Sequence, residues 1–213
     1  MELTKYTHAT VVLEQDGTTL VIDPGAFTPE AADLAGAAAA VLITHEHADH
    51  FDVDAVRAGL DTNPSLVVRG PAAIVEQLGD HDGRVAAVRA GDAFEVGPFS
   101  VQACGEEHAV IHRDIPTIAN VGYLVNGAVF HPGDAYLEPG VPVQTLLLPT
   151  SGPWTSTAAA VDYVRSVAPE RAVQIHEAML SDLGQQSTAR FLGSDGLGPV
   201  PVLILPAGES ITV

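Results

Sequence analysis

The chain has a single cysteine, Cys104, among 213 residues. No intramolecular disulfide can form, which excludes a disulfide-stapled scaffold and fits a reducing compartment. Cys104 itself reads as a small buried hydrophobe on a strand, not as a nucleophile. Basic residues are scarce: 9 Lys and Arg stand against 27 Asp and Glu, a formal net charge of −18 at pH 7. Such a field repels nucleic acid and anionic lipid over long range, so neither is an expected partner. No run approaches the roughly 18 apolar residues that a membrane helix requires. The opening MELTKYTHATVVLEQDG has no charged segment followed by a long apolar one. No secretory signal is read there, and the cytoplasm is the expected compartment.

What is present describes a folded protein. Hydrophobic residues make up 46% and charged residues 17%, the latter below the roughly 25% usual for globular proteins. One domain over residues 1–213 is expected, burying roughly 70% of its extended surface without staples. Thr10 to Glu14 and Thr18 to Ile22 flank Asp16-Gly17, a hairpin signal, and the second strand meets Asp23-Pro24-Gly25. A short helix is expected over Pro29 to Leu34, a buried strand over Val41 to Thr44, and a helix over Asp52 to Gly59. Strands follow at Leu66 to Arg69, Val85 to Val88, Ala93 to Val96 and Phe99 to Ala103, with a helix at Ala72 to Leu78. The second half repeats this grammar. Asn120 to Val125 and Ala128 to His131 flank Asn126-Gly127, and the second strand meets Pro132-Gly133-Asp134. Strand Leu146 to Leu148, helix Ser156 to Val167, strand Ala172 to Ile175, helix Gln185 to Leu192 and a last strand near Ile211 complete it. Hairpins first and strand–helix alternation second, twice over, predict two stacked sheets with helices on both outer faces.

Chemistry concentrates in AVLITHEHADHF, Ala40 to Phe51, where His45, His47, Asp49 and His50 fall within six residues. In an extended segment residues i and i+2 point the same way, so His45 and His47 can reach one ion, while Asp49 and His50 are aimed elsewhere. Imidazole and carboxylate suit zinc, with iron or manganese also compatible. A lone histidine is usually a surface or satisfied core group; four ligand-type residues between a strand and a helix are not explained that way. Two histidines do not satisfy an ion, so remote partners are expected at strand ends on the same rim. His108 in CGEEHAVIH, Asp134 in HPGDA and His176 in VQIHEAM meet that requirement. His8, His81, His112 and His131 are left over; His81 reads as a surface turn and His8 stays open.

With THEHADH, His108, GDA at Asp134 and the late His176 in that order, the chain resembles the metallo-β-lactamase superfamily across nearly its whole length. The resemblance implies an α/β, four-layer αββα sandwich of two mixed sheets flanked by helices, with the site at one edge. It implies two divalent cations, zinc foremost with manganese or iron as alternatives. One would be held by His45, His47 and His108 and the other by Asp49, His50 and His176, with Asp134 bridging. The HATVVLE…LVIDPG and NVGYLV…HPGDA segments look closest to the branch that includes the bacterial ascorbate-phosphate lactonase. Two departures narrow the function. True β-lactamases of the superfamily carry a cysteine ligand near the second metal, whereas Cys104 falls four residues before His108. Flavodiiron relatives commonly carry Glu where this chain has His47.

The expected activity is hydrolysis of an ester, lactone or phosphoester of a small metabolite by a hydroxide that two metals activate. Asp49 is the expected catalytic group, orienting the nucleophile and shuttling its proton. Asp23 and His131 are candidates for the layer behind the ligands, Asp23 also reading as a turn former before Pro24. Tyr136 and Trp154 are candidate pocket residues, and His112 a candidate leaving-group acid or simply an exposed loop residue. The competing readings are a mononuclear-iron dioxygenase of the same superfamily, a nuclease, which the acidic chain disfavours, and a non-catalytic module, which complete ligands disfavour. The partner expected is a small molecule, and a homo-oligomer is allowed.

Overall fold

Two tight turns set the register of the molecule, and both are of the kind that matches the twist of paired strands. Asp16-Gly17 and Asn126-Gly127 place both central residues at positive φ, 50° and 75° in one and 54° and 62° in the other, as a two-residue hairpin requires. The computed structural model describes residues 1–213. In chain order the first half holds β1 (Glu2–Lys5), β2 (Val11–Gln15), β3 (Thr18–Ile22), α1 (Ala31–Ala37), β4 (Ala40–Leu42), α2 (Val53–Thr62), β5 (Val67–Gly70), α3 (Ala72–Leu78) and β6 (Val85–Ala87). The second holds β7 (Ala93–Val96), β8 (Phe99–Cys104), β9 (Gly122–Val125), β10 (Val129–His131), β11 (Thr145–Pro149), α4 (Thr157–Val167), β12 (Arg171–Ile175), α5 (Asp182–Leu192), β13 (Val202–Leu203) and β14 (Ser210–Thr212).

The strands form two seven-stranded sheets, β14-β1-β2-β3-β4-β5-β6 and β7-β8-β9-β10-β11-β12-β13. Each begins with three antiparallel pairings and continues with three parallel ones. The half-repeat expected from the DPG and HPGD clusters is therefore a repeat of sheet topology. Alternation along the strands sorts their side chains into layers. Leu20, Ile22 and Leu42 meet Tyr123, Val125, Leu147 and Val173 between the sheets. Val21, Val41 and Val68 turn outward beneath α1 to α3, with Val56, Leu60 and Ile74. Leu146, Leu148 and Ala172 pack beneath α4 and α5 with Val161, Val164 and Leu192. The result is the four-layer αββα sandwich.

Differences from the sequence reading have local causes. Helix α2 runs on to Thr62 because Gly59 is a packing contact and not a stop: a Cβ there would sit 2.8 Å from that of Ala35 in α1. Helix α5 begins at Asp182, three residues early, where the Ser181 side chain accepts from the Gly184 N–H. Strands β1 and β13 were not foreseen; β1 is held between β2 and β14, and β13 is a two-residue edge. No helix is long and apolar enough to cross a membrane.

Candidate metal centre

The THEHADH turn is shaped by its neighbours before any ion is considered. Thr44 follows the short strand β4 and is fastened by Asp23, whose Oδ1 accepts from the Thr44 N–H and whose Oδ2 accepts from the Thr44 hydroxyl, both at 2.7 Å. The turn closes on itself where the N–H groups of His50 and Phe51 donate to the His47 carbonyl. Asp52 then caps α2, accepting from the N–H groups of Asp54 and Ala55. The DPG loop after β3 lies directly on this turn: Ala26 N–H donates to the Ala48 carbonyl at 2.7 Å and Asp52 N–H to the Pro24 carbonyl at 3.0 Å. Gly25 permits that approach, since a Cβ on it would fall 1.9 Å from the Asp49 carbonyl oxygen.

The remote residues arrive from the second sheet. His108 lies past β8, Asp134 past β10, and His176 directly after β12. Asp134 is held at the tip of the HPGD turn by Asn120, whose Oδ1 accepts from its N–H at 3.0 Å while its Nδ2 donates to the Pro132 carbonyl at 2.9 Å. His176 sits at φ 58°, and its N–H donates to the His8 carbonyl at 3.0 Å. Two groups of ligand atoms result, each with all its members within 4.8 Å of one another: His45, His47, His108 and Asp134 in one, His8, Asp49, His50 and His176 in the other. His45 Nε2 is 3.1 Å from His47 Nδ1, and His108 Nε2 is 3.4 Å from Asp134 Oδ2. Asp134 also reaches the second group, with Oδ1 3.1 Å from His50 Nε2 and Oδ2 3.1 Å from His176 Nε2. All seven residues expected from the sequence thus converge, with Asp134 between the groups. His8, left open by the sequence, joins them as an eighth.

The residues fit divalent cations. The far nitrogens of three histidines are engaged: His50 Nδ1 donates to Asp23 Oδ2 at 2.6 Å, His108 Nδ1 to the Ala109 carbonyl at 2.6 Å, and His45 Nδ1 lies 3.0 Å from the Thr44 hydroxyl. Such contacts leave the inward nitrogens as lone-pair donors. The inward atoms His50 Nε2, His108 Nε2, His176 Nε2 and Asp134 Oδ1 are buried and have no hydrogen-bond partner in the protein, an arrangement that is costly unless a cation completes it. The charges of the centre also act strongly on one another. Burial, reinforced by His50, holds His45 well below the ordinary histidine value. Burial alone would lower His50 and raise Asp134. Instead Asp134 and Asp23 drive His50 well above its usual value, and His50, with His108 and His176 close beside the carboxylate, drives Asp134 well below. Asp49 is likewise depressed: burial opposes ionisation, but His176 beside its carboxylate and the hydrogen bond from His8 outweigh it.

The remaining candidates take varied positions. Asp23 stands behind His50, as described. His131 stands behind Asp23, its Nε2 3.7 Å from Asp23 Oδ2; that nitrogen donates to the Ala9 carbonyl at 2.9 Å and Nδ1 accepts from the Gly133 N–H, fastening the HPGD turn. Trp154 touches the centre, donating from Nε1 to Asp134 Oδ2 at 2.9 Å. Tyr136 backs that indole, ring centroids 4.9 Å apart, and stacks on Tyr163, with its hydroxyl 3.5 Å from the Pro149 carbonyl. His112 lies on an exposed loop, where its Nδ1 accepts from the Asp114 N–H. Sequence reasoning missed Asn120 and His8; Asn120, just ahead of β9, is the one with a legible signal, as a buried-turn amide facing a Pro-Gly-Asp cluster. A narrow cleft of about 20 Å³ beside the first group is lined by His47, His108, Ile111, Ile115, Thr117 and Ile118 among others. A roomier cleft of about 560 Å³ lies elsewhere, along Pro71, Val88 and Glu106, and holds none of the clustered residues.

A protein-family model described as a β-lactamase superfamily domain matches residues 2–176. The chain belongs to the metallo-β-lactamase superfamily. Within it, this metallo-β-lactamase-fold chain is 39% identical over 186 residues to Protein Rv0786c of Mycobacterium tuberculosis, covering 85% of this chain and 86% of that protein. It is 31% identical over 184 residues to a UPF0173 protein of Pyrococcus furiosus, covering 82% of each. Its fold is similar to that of Igni18, described as a novel metallo hydrolase from Ignicoccus hospitalis, at a TM-score of 0.76 and 19% identity over 100% of this chain and 97% of that one.

Proposed function

We propose that the protein is a metal-dependent hydrolase that cleaves an ester, lactone or phosphoester of a small metabolite in the cytoplasm. One divalent cation, zinc foremost, would be held by His45, His47 and His108, and a second by Asp49, His50 and His176, with Asp134 shared. The observation that carries the reading is the convergence of buried, unpartnered ligand atoms from both sheets on two adjacent points. When bound, such a pair would supply a water of pKa lowered to about 7 and an electrophilic partner for the oxygen that gains charge. The protein's own groups do the rest. Asp49, held ionised by its histidine neighbours, would orient the attacking water and pass its proton on to the leaving oxygen. Trp154 fixes the Asp134 carboxylate through its indole N–H. Asp23 and Thr44 keep His45 and His50 in the orientation that presents Nε2. The Ile111, Ile115 and Ile118 cleft beside His47 offers an apolar wall for the substrate.

The test is metal analysis of the purified protein combined with assays on lactones, thioesters and phosphodiesters. Two zinc or manganese ions per chain and turnover abolished by chelation are expected, and His45→Ala should lose both metal and activity. One iron per chain with oxygen uptake would overturn the reading in favour of a dioxygenase, which needs only one of the two ligand groups.

A further inference from the structure

His8 is the ligand-type residue that the function does not absorb, and its surroundings define a role. It is fully buried, sits at φ 63°, and lies with its ring centroid 3.8 Å from that of His176. Its Nε2 is 3.1 Å from Asp49 Oδ2, close enough to the second ligand group to be counted in it. The opposite nitrogen decides between ligand and non-ligand. Nδ1 accepts from the Ala178 N–H at 3.3 Å, so in the neutral ring the proton resides on Nε2. A protonated Nε2 has no lone pair for a metal, whereas it can donate to Asp49 Oδ2. Coordination through Nε2 would demand a ring bare of protons at both nitrogens.

The backbone around His8 is held on both sides by the segment that follows β12. Glu177 Oε1 accepts from the His8 N–H at 3.0 Å and from the buried Lys5 ammonium at 2.9 Å, and Lys5 also donates to the Tyr6 carbonyl. The His8 carbonyl in turn accepts from His176 N–H. An ion pair of low exposure thus pins a left-handed residue whose side chain reaches one carboxylate. Phe27 closes the outer side, its ring edge-on to His8 at 5.1 Å.

We propose that His8 is a positioning residue for the second metal: as the Nε2–H tautomer it fixes the Asp49 carboxylate, and Lys5 and Glu177 set its place. This rests on the two-metal reading, and the test separates the two. Competition of zinc-loaded protein against a chromophoric chelator is expected to show two sites in the wild type. In His8→Ala one of the two sites should lose about 10–100-fold in affinity, the range for an outer partner of a ligand, while the other is unchanged. His8→Gln, whose amide can still donate to Asp49, should recover most of that loss. Nitrogen-15 histidine NMR of the zinc-loaded wild type should place the His8 proton on Nε2, a readout that needs no variant. A wild type that binds one ion or none would sink the two-metal reading itself. Two sites of unchanged affinity in His8→Ala would overturn the proposal alone. So would a metal-bound Nε2 in the NMR spectrum, together with loss of the second site in both variants, which would make His8 a ligand.

Discussion

At the scale of single residues, the centre depends on which nitrogen of each histidine faces inward, and that is decided by groups that never approach a metal. Asp23 is the clearest case: one buried carboxylate takes hydrogen bonds from Thr44 N–H, the Thr44 hydroxyl and His50 Nδ1. Asp23→Ala should leave the fold in place but weaken metal retention about 10–100-fold, measured as metal per chain after dialysis against a chelator. Unchanged retention would remove Asp23 from that role. The sequence exposed the four residues of THEHADH because they lie together and the spacing of strand side chains says how they diverge. His108, Asp134 and His176 were legible as ligand-type residues at strand ends. His8 was not, because its partner lies 41 positions away in the chain and a left-handed backbone aims it. No periodicity records such a turn.

At the scale of elements, the DPG loop and the THEHADH turn behave as one unit. Gly25 makes this possible, and not through its φ: there is no room for a Cβ against the Asp49 carbonyl. Gly25→Ala must push the two loops apart and break the Ala26–Ala48 and Asp52–Pro24 hydrogen bonds. A loss of about 3 kcal/mol is expected, roughly 6–12 °C in Tm for a chain of this size. Metal content should fall with it, and a melt of normal Tm with full metal content would show that the loops can part freely. The hairpins were legible because Asp-Gly and Asn-Gly name their own turn geometry. The end of α2 was not, since Gly59 signals a stop in isolation and a helix contact only once α1 is in place. Strands β1 and β13 escaped notice because short edge strands carry little alternation and borrow their order from neighbours.

At the scale of the whole molecule, burial of polar groups away from the centre also leaves a signature. Burial, with Asp23 nearby, raises Tyr123 well above the ordinary phenol value, and burial with Tyr136 does the same for Tyr163. In the unfolded chain these phenols lose their protons near pH 10, while in the folded one they keep them. Above that pH the folded state therefore binds more protons than the unfolded one, and stability falls as pH rises toward the folded values. Alkaline titration should show phenolate absorbance from both residues appearing together with loss of circular dichroism. Early, non-cooperative ionisation would mean that they are accessible. The same scale reveals what the two halves do to each other. Each ligand group takes members from both sheets, His45 and His47 meeting His108 and Asp134, and Asp49 and His50 meeting His176. At the far end the hairpin turns are joined by Asn126 Nδ2 donating to Gln15 Oε1 at 2.9 Å. Besides the core they share, the sheets are tied at one end by that amide contact and at the other by His176 N–H on the His8 carbonyl and His131 Nε2 on the Ala9 carbonyl. Bound cations would add a further clasp there. Without them that end should loosen: amide exchange should quicken around residues 44–52 and 106–119 and stay slow in β2, β3, β9 and β10.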